Sequence, residues 1–152
     1  MEHVLSHVIT WIMMKAPTPP ATTDPDGPGG TGCVLLACTP GEGHVLPLVV
    51  LSAALAERGI QATVLGAHTP TDTLAAAVDS VHSARADLGH PARPVVVVFA
   101  LLDLADTASN LPAALHAQTQ LVLAGPGWPT TTSRGLRSSN LQDTLELVSE
   151  LT

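Results

Sequence analysis

Two short apolar runs constrain this chain more than any other feature: CVLLAC over residues 33–38 and PVVVVFA over residues 94–100. Neither alternates with polar residues. Each must therefore be covered on both faces, the environment of a central strand in a parallel sheet flanked by helices. The material for that cover is aliphatic. Hydrophobic residues make up 45% of the 152, yet only Trp11, Phe99 and Trp128 are aromatic, so the core must be built from Leu, Val and Ala. That favours helices on a Val-rich sheet over a sandwich.

Strand and helix patterns alternate on either side of these runs. Residues 45–58 predict a helix with Leu48, Val49, Leu51 and Leu55 inward, stopped by Gly59 as a C-cap. Residues 61–65 predict a second strand, with an exit loop over 66–70. In that loop Thr69 suits a helix N-cap and Pro70 the first position of a helix over 71–84. A polar connection over 85–93 leads into the Val-rich run. Residues 101–119 predict a helix with a break near Asn110 and Pro112, and 120–124 a fourth strand. A short fifth strand near Leu136 and a closing helix over 141–151 complete the pattern. The expectation is an α/β fold, a doubly wound parallel sheet of four or five strands, Rossmann- or flavodoxin-like, over residues 32–152. Ahead of it, residues 1–15 (MEHVLSHVITWIMMK) have the spacing of a short amphipathic helix. Residues 16–31 hold five prolines and three glycines and read as a linker.

Charge and motifs exclude several functions. Six basic against thirteen acidic residues give a net charge of −7 with no basic patch, which argues against direct nucleic-acid binding. The only N-terminal apolar stretch is short, is interrupted by Ser6, His7 and Thr10, and lacks a basic start. It predicts neither a bilayer span nor a signal peptide. Cys33 and Cys38 point to opposite faces of one strand and cannot bridge, as expected of buried thiols in a reducing cytoplasm. There is no Gly-x-Ser-x-Gly elbow, phosphate-loop lysine or dinucleotide fingerprint, so no enzymatic activity is expected.

In a doubly wound sheet the strand exits gather on one edge. That places residues 39–44, 66–70, 100–103 and 125–128 together, three of the four loops being rich in Gly or Pro. Glu42-Gly43-His44 stands out. A carboxylate two residues from an imidazole can fix its tautomer and leave the other ring nitrogen for a metal. Spacing alone also fits, and fits better, His44 opening a helix whose dipole Glu42 complements. His68 faces the same edge as a polar loop residue or a further ligand. Trp128 reads either as a core lid or as one wall of a cleft. His3 and His7 share a helix face but lack a third ligand, and His82, His90 and His116 read as surface residues.

The segment GEGHVLPLVVLSAALAERGIQATVLGAHTP resembles the start of a cobalamin-binding domain. In that family the loop after the first strand carries an acidic residue, any residue, then the histidine that replaces the cofactor's own lower ligand. With Pro-Leu shortly after His44 and GPGW over 125–128, the chain is most similar to the sensor domain of MerR-type, cobalamin- and light-responsive transcriptional regulators. The resemblance runs from about Cys33 to the C-terminus. It implies cobalamin as cofactor, with His44 as lower axial cobalt ligand and Glu42 orienting it. It further implies cofactor contacts from Gly43, His68, Ala100, Leu102, Gly125, Gly127 and Trp128.

Three positions depart from the family pattern. Pro47 stands where the broader family has Gly. Ala100-Leu101-Leu102 lacks the Ser that contacts the nucleotide tail, and Pro126 splits Gly125 from Gly127. The resemblance therefore implies an axial pair retained above a reduced tail pocket. The DNA reader and helical cap of such regulators do not fit ahead of Gly32, so DNA binding is expected from a partner chain and self-association from this one. Two other functions fit the same residues: a cofactor-free dimerisation module, and the carrier subunit of a cobalamin-dependent mutase or methyltransferase.

Overall fold

The five strands of the sheet all run parallel, in the order β2-β1-β3-β4-β5. A computed structural model describes residues 33–87, 93–101, 111, 113–130 and 135–152. The strands are β1 (Val34–Cys38), β2 (Ala62–Gly66), β3 (Val95–Phe99), β4 (Gln120–Ala124) and β5 (Leu136–Ser138). The helices are α1 (Leu46–Glu57), α2 (Thr71–Asp87), α3 (Ala113–Gln118) and α4 (Leu141–Leu151). The sequence thus places all five strands and the sheet type. The N-terminal helix and linker expected over 1–31 lie outside the described residues, as do Leu102 and most of the helix expected over 101–119.

Alternation along the strands builds two cores. Val34, Leu36, Cys38, Val95, Val97, Phe99, Val122 and Ala124 face Leu48, Leu51 and Leu55 of α1 and Leu145 and Val148 of α4. The intervening residues face Leu74 and Val78 of α2, Leu115 of α3, and Trp128. Every residue of β1 and β3 is buried, as strands without alternation require. Cys38 lies in the first core and Cys33 packs against the second, so the two thiols sit on opposite faces and are free.

Local chemistry sets the ends of the elements. Gly59, at φ +77°, closes α1 in a Schellman motif: its N–H bonds Ala56 O, and the Ile60 N–H bonds Leu55 O, both at 3.0 Å. At the start of α2 the structure corrects the expected cap. The Thr69 hydroxyl donates to Gly66 O at 3.0 Å and is not used to accept a helical N–H. The Pro70 carbonyl takes the first helical bond, from the Leu74 N–H at 3.0 Å. Pro70 is therefore the cap residue, a position that needs no N–H of its own. Strand β2 also runs one residue later than predicted, because a register shift between Leu36 and Ala37 pairs Ala37 with Gly66.

Candidate functional site

Strands β1 and β3 are adjacent, yet the helix after β1 covers one face of the sheet while α2 and α3 cover the other. This is the switch point at which such sheets leave a crevice above the strand ends. The loop after β1 turns sharply there. The Thr39 N–H bonds Phe99 O at 3.0 Å, and the Glu42 N–H closes a turn onto Thr39 O at 2.9 Å.

The turn drives the Glu42 side chain inward until only 1% of it is exposed. A buried carboxylate must be fully hydrogen-bonded, and this one is. Its Oε1 accepts the His44 N–H at 2.8 Å and lies 2.5 Å from His44 Nδ1, while Oε2 accepts the Leu101 N–H at 2.7 Å. Burial alone would push the Glu42 carboxyl up. The bonds from the His44 and Leu101 N–H groups and from the His44 ring outweigh it, and hold the group below the ordinary range.

An ionised carboxylate can only accept, so the hydrogen of the His44 ring sits on Nδ1. Nε2 is then the ring nitrogen turned away from Glu42, on a side chain 50% exposed. That is the tautomer and orientation a metal-binding imidazole needs. Cys38, nearby, is no competitor. Burial, with the Glu42 charge adding to it, pushes its thiol up to about 12, and its Sγ–H points at His44 O at 3.7 Å.

A pocket of about 230 Å³ opens beside this pair, between the first turns of α1 and α4. Its lining includes Pro47, Leu48 and Leu51 of α1, Phe99 and Ala124 at the strand ends, and Leu141 of α4. The polar wall residues are largely engaged. Thr144 Oγ1 donates to Asn140 O at 2.7 Å and meets Ser138 Oγ at 2.8 Å, and the Asn140 side chain caps α4. Leu101 belongs to both halves, lining the pocket while its N–H holds Glu42.

Gly125 forms part of the pocket lining and cannot be replaced without movement. It has φ +96°, and a Cβ there would lie 2.3 Å from Ala100 O. The Gly127 N–H bonds Ala100 O at 3.0 Å. Pro126 between them does not prevent either glycine from meeting Ala100.

Two residues expected at the site sit elsewhere. Trp128 is buried in the core on the opposite face of the sheet, where its indole N–H bonds Val98 O at 3.0 Å and Ala124 O at 3.1 Å. The core-lid alternative therefore describes it, because a buried indole needs an acceptor and those carbonyls supply one. Ala100 is fully buried on that same face. His68 is at the expected edge, with its ring against Gly43 and Pro40. Sequence reasoning missed the contribution of α4 and the two residues before it, namely Ser139, Asn140, Leu141 and Thr144. The one available signal was the Asn140 N-cap, which starts that helix at the strand-exit edge.

Among the described residues no group of three or more His, Cys, Asp or Glu could hold a metal by itself, and no helix is long and apolar enough to cross a membrane.

No protein-family model matches the chain, and no curated protein matches it. Among solved structures it is similar to the monomethylamine corrinoid protein of Methanosarcina barkeri, at 15% identity and a TM-score of 0.61, over 96% of this chain and 65% of that one. It is similar also to a cobalamin-binding protein from Desulfitobacterium hafniense DCB-2, at 18% identity and a TM-score of 0.59, over 80% of this chain and 59% of that one. The chain thus spans less than two thirds of either protein's length. The five-stranded parallel sheet with flanking helices is the Rossmann-like fold of these two proteins.

Proposed function

We propose that this chain is a corrinoid-binding module, in which His44 Nε2 is the axial donor and the pocket between α1 and α4 receives the nucleotide tail. The observation that carries the reading is the Glu42 bridge. One buried carboxylate orients the imidazole through Nδ1 and, through the Leu101 N–H, fixes the mouth of the apolar pocket. Both solved neighbours are named for corrinoid or cobalamin binding, which supports the same class of ligand.

The residues fit such a group on their own chemistry. His44 offers a half-exposed ring nitrogen whose orientation Glu42 fixes, Gly43 adds no side chain beside it, and the pocket is walled mainly by carbon. When bound, a corrinoid would supply a cobalt centre with an exchangeable upper ligand. This chain's part is to orient the donor nitrogen, exclude water from the tail, and transmit occupancy through Glu42 to the loop after β3. It carries out no turnover by itself.

Within that class we place the chain as the sensor module of a MerR-type regulator, on the residues GEGH, Pro47-Leu48 and GPGW. DNA contact would then come from a partner chain. A carrier role is the second reading, and the corrinoid protein of Methanosarcina barkeri favours it.

A visible-absorption titration in the dark with hydroxocobalamin and adenosylcobalamin tests the proposal. A saturable spectral shift that His44→Ala abolishes, in a variant still folded by circular dichroism, is the expected result. Absence of a shift with either form overturns it. Occupancy-dependent change in self-association, followed by light scattering, favours the sensor, and tight binding without such change favours the carrier.

A further inference from the structure

His68 is the one described non-glycine residue with a positive φ, at +48°. A side chain held in the left-handed region costs free energy, and it persists where surrounding contacts over-determine it. Here both contacts reach into the loop that delivers His44. The His68 N–H donates to Glu42 O at 2.8 Å, and the ring Nδ1 lies 3.2 Å from Pro40 O. A carbonyl only accepts, so Nδ1 carries the hydrogen. The ring then lies over Gly43, where a Cβ would meet Nε2 at 3.2 Å and Cε1 at 3.4 Å. Gly43 itself does not have a positive φ. It is glycine for room, and the His68 ring takes that room.

We propose that His68 is a positioning residue: it clamps Pro40 and Glu42 from the loop after β2, and so holds the Glu42 carboxylate where it fixes the Nδ1–H tautomer of His44. The clamp is specific in its parts. Residues 40 and 42 flank the turn that buries Glu42, so gripping both main-chain carbonyls stops that turn from rolling outward. Without the ring the carboxylate keeps its bonds from the His44 and Leu101 N–H groups and Glu42 O keeps the residue-68 N–H, but the Pro40 end of the turn is released. Its function at the site rests on the corrinoid reading; its effect on the His44 tautomer does not.

The test uses the full chain without any added cofactor. Long-range 15N–1H spectra of the imidazoles report the His44 tautomer in wild type, His68→Gly, Gly43→Ala and the double variant. His68→Gly keeps the backbone conformation and removes only the ring. Gly43→Ala sets a methyl group 3.2 Å from Nε2, so the ring must shift by a few tenths of an ångström without any change at residue 68. Each is expected to convert a dominant Nδ1–H signal into a mixture, and the double variant is expected to add nothing, because both remove one contact. A purely structural role would lower the melting temperature and leave the tautomer ratio unchanged.

In a parallel hydroxocobalamin titration, His68→Gly is expected to weaken binding about fivefold, the worth of one lost hydrogen bond, and to do so only when His44 is present. Wild-type tautomer populations in His68→Gly and Gly43→Ala overturn the proposal. A shifted tautomer in a protein that binds no corrinoid keeps the His68 assignment and overturns the cofactor reading instead.

Discussion

Glu42 and Leu101, 59 residues apart in sequence, are joined by a 2.7 Å hydrogen bond from the Leu101 N–H to Glu42 Oε2. The bond spans the switch point between β1 and β3, so the loops after both strands share one buried charge. Because the bonds to Glu42 hold its folded-state value below the ordinary one near 4.5, the carboxylate adds stability that is complete above that pH. The contribution is lost as pH falls through the folded value. Urea midpoints between pH 7 and pH 3 should therefore show wild type about 2 kcal/mol more stable than Glu42→Gln at neutral pH, with the gap narrowing below 4.5. A pH-independent gap would contradict this.

Gly125→Ala should be among the most damaging single substitutions, costing about 3 kcal/mol or more. It combines φ +96° with a Cβ at 2.3 Å from Ala100 O and 2.8 Å from the Phe99 ring. Gly59→Ala is the matched control, since its φ is +77° with nothing within 4 Å. That change should cost only about 1 kcal/mol. Equal losses in urea unfolding would mean that backbone conformation alone, and not the close approach to Ala100, governs position 125.

The pocket should discriminate among lower bases. Its wall hydroxyl and amide groups at Thr144 and Asn140 are already bonded within the protein, so apart from the Ser139 hydroxyl the lining side chains offer little to the polar edge of an adenine base. A dimethylbenzimidazole base should then bind at least about tenfold more tightly than adenine. Competitive titration of the two corrinoids measures the ratio, and a preference for adenine would place the tail elsewhere.

Thr39 Oγ1 is buried with no hydrogen-bond partner among the described residues. Replacing that hydroxyl by a methyl group of similar volume removes the cost of burying it, so Thr39→Val should raise stability by about 1 kcal/mol. A loss of stability would show that the hydroxyl has a partner in solution, most simply an ordered water.

The sheet was legible because β1 and β3 carry an unbroken apolar signature that only a doubly covered strand requires, and because Gly59 punctuates its helix by known chemistry. Glu42 and His44 were legible because a two-residue spacing lets a carboxylate fold back on an imidazole. Trp128 was not placed, since a tryptophan at a strand exit can turn to either face and the choice rests on the carbonyls of Val98 and Ala124. The role of α4 was hidden for a similar reason. Its first turn meets α1 only through the sheet order, about which local pattern says nothing. His68 was legible as a residue of the strand-exit edge, but its grip on Pro40 and Glu42 was not, because its backbone conformation is imposed by the loop it grips.

The main-chain contacts at Ala100 bear on how this site can diversify. Gly125 packs against the Ala100 carbonyl and Gly127 bonds to it, so the floor of the crevice is backbone on backbone and tolerates almost no change of shape. The walls, by contrast, are largely side chains of two helices, α1 and α4. Descendants of this sequence can therefore acquire new ligand preferences by point substitution at Leu48, Leu51, Leu141 or Thr144. Altering the floor would require several residues to change together.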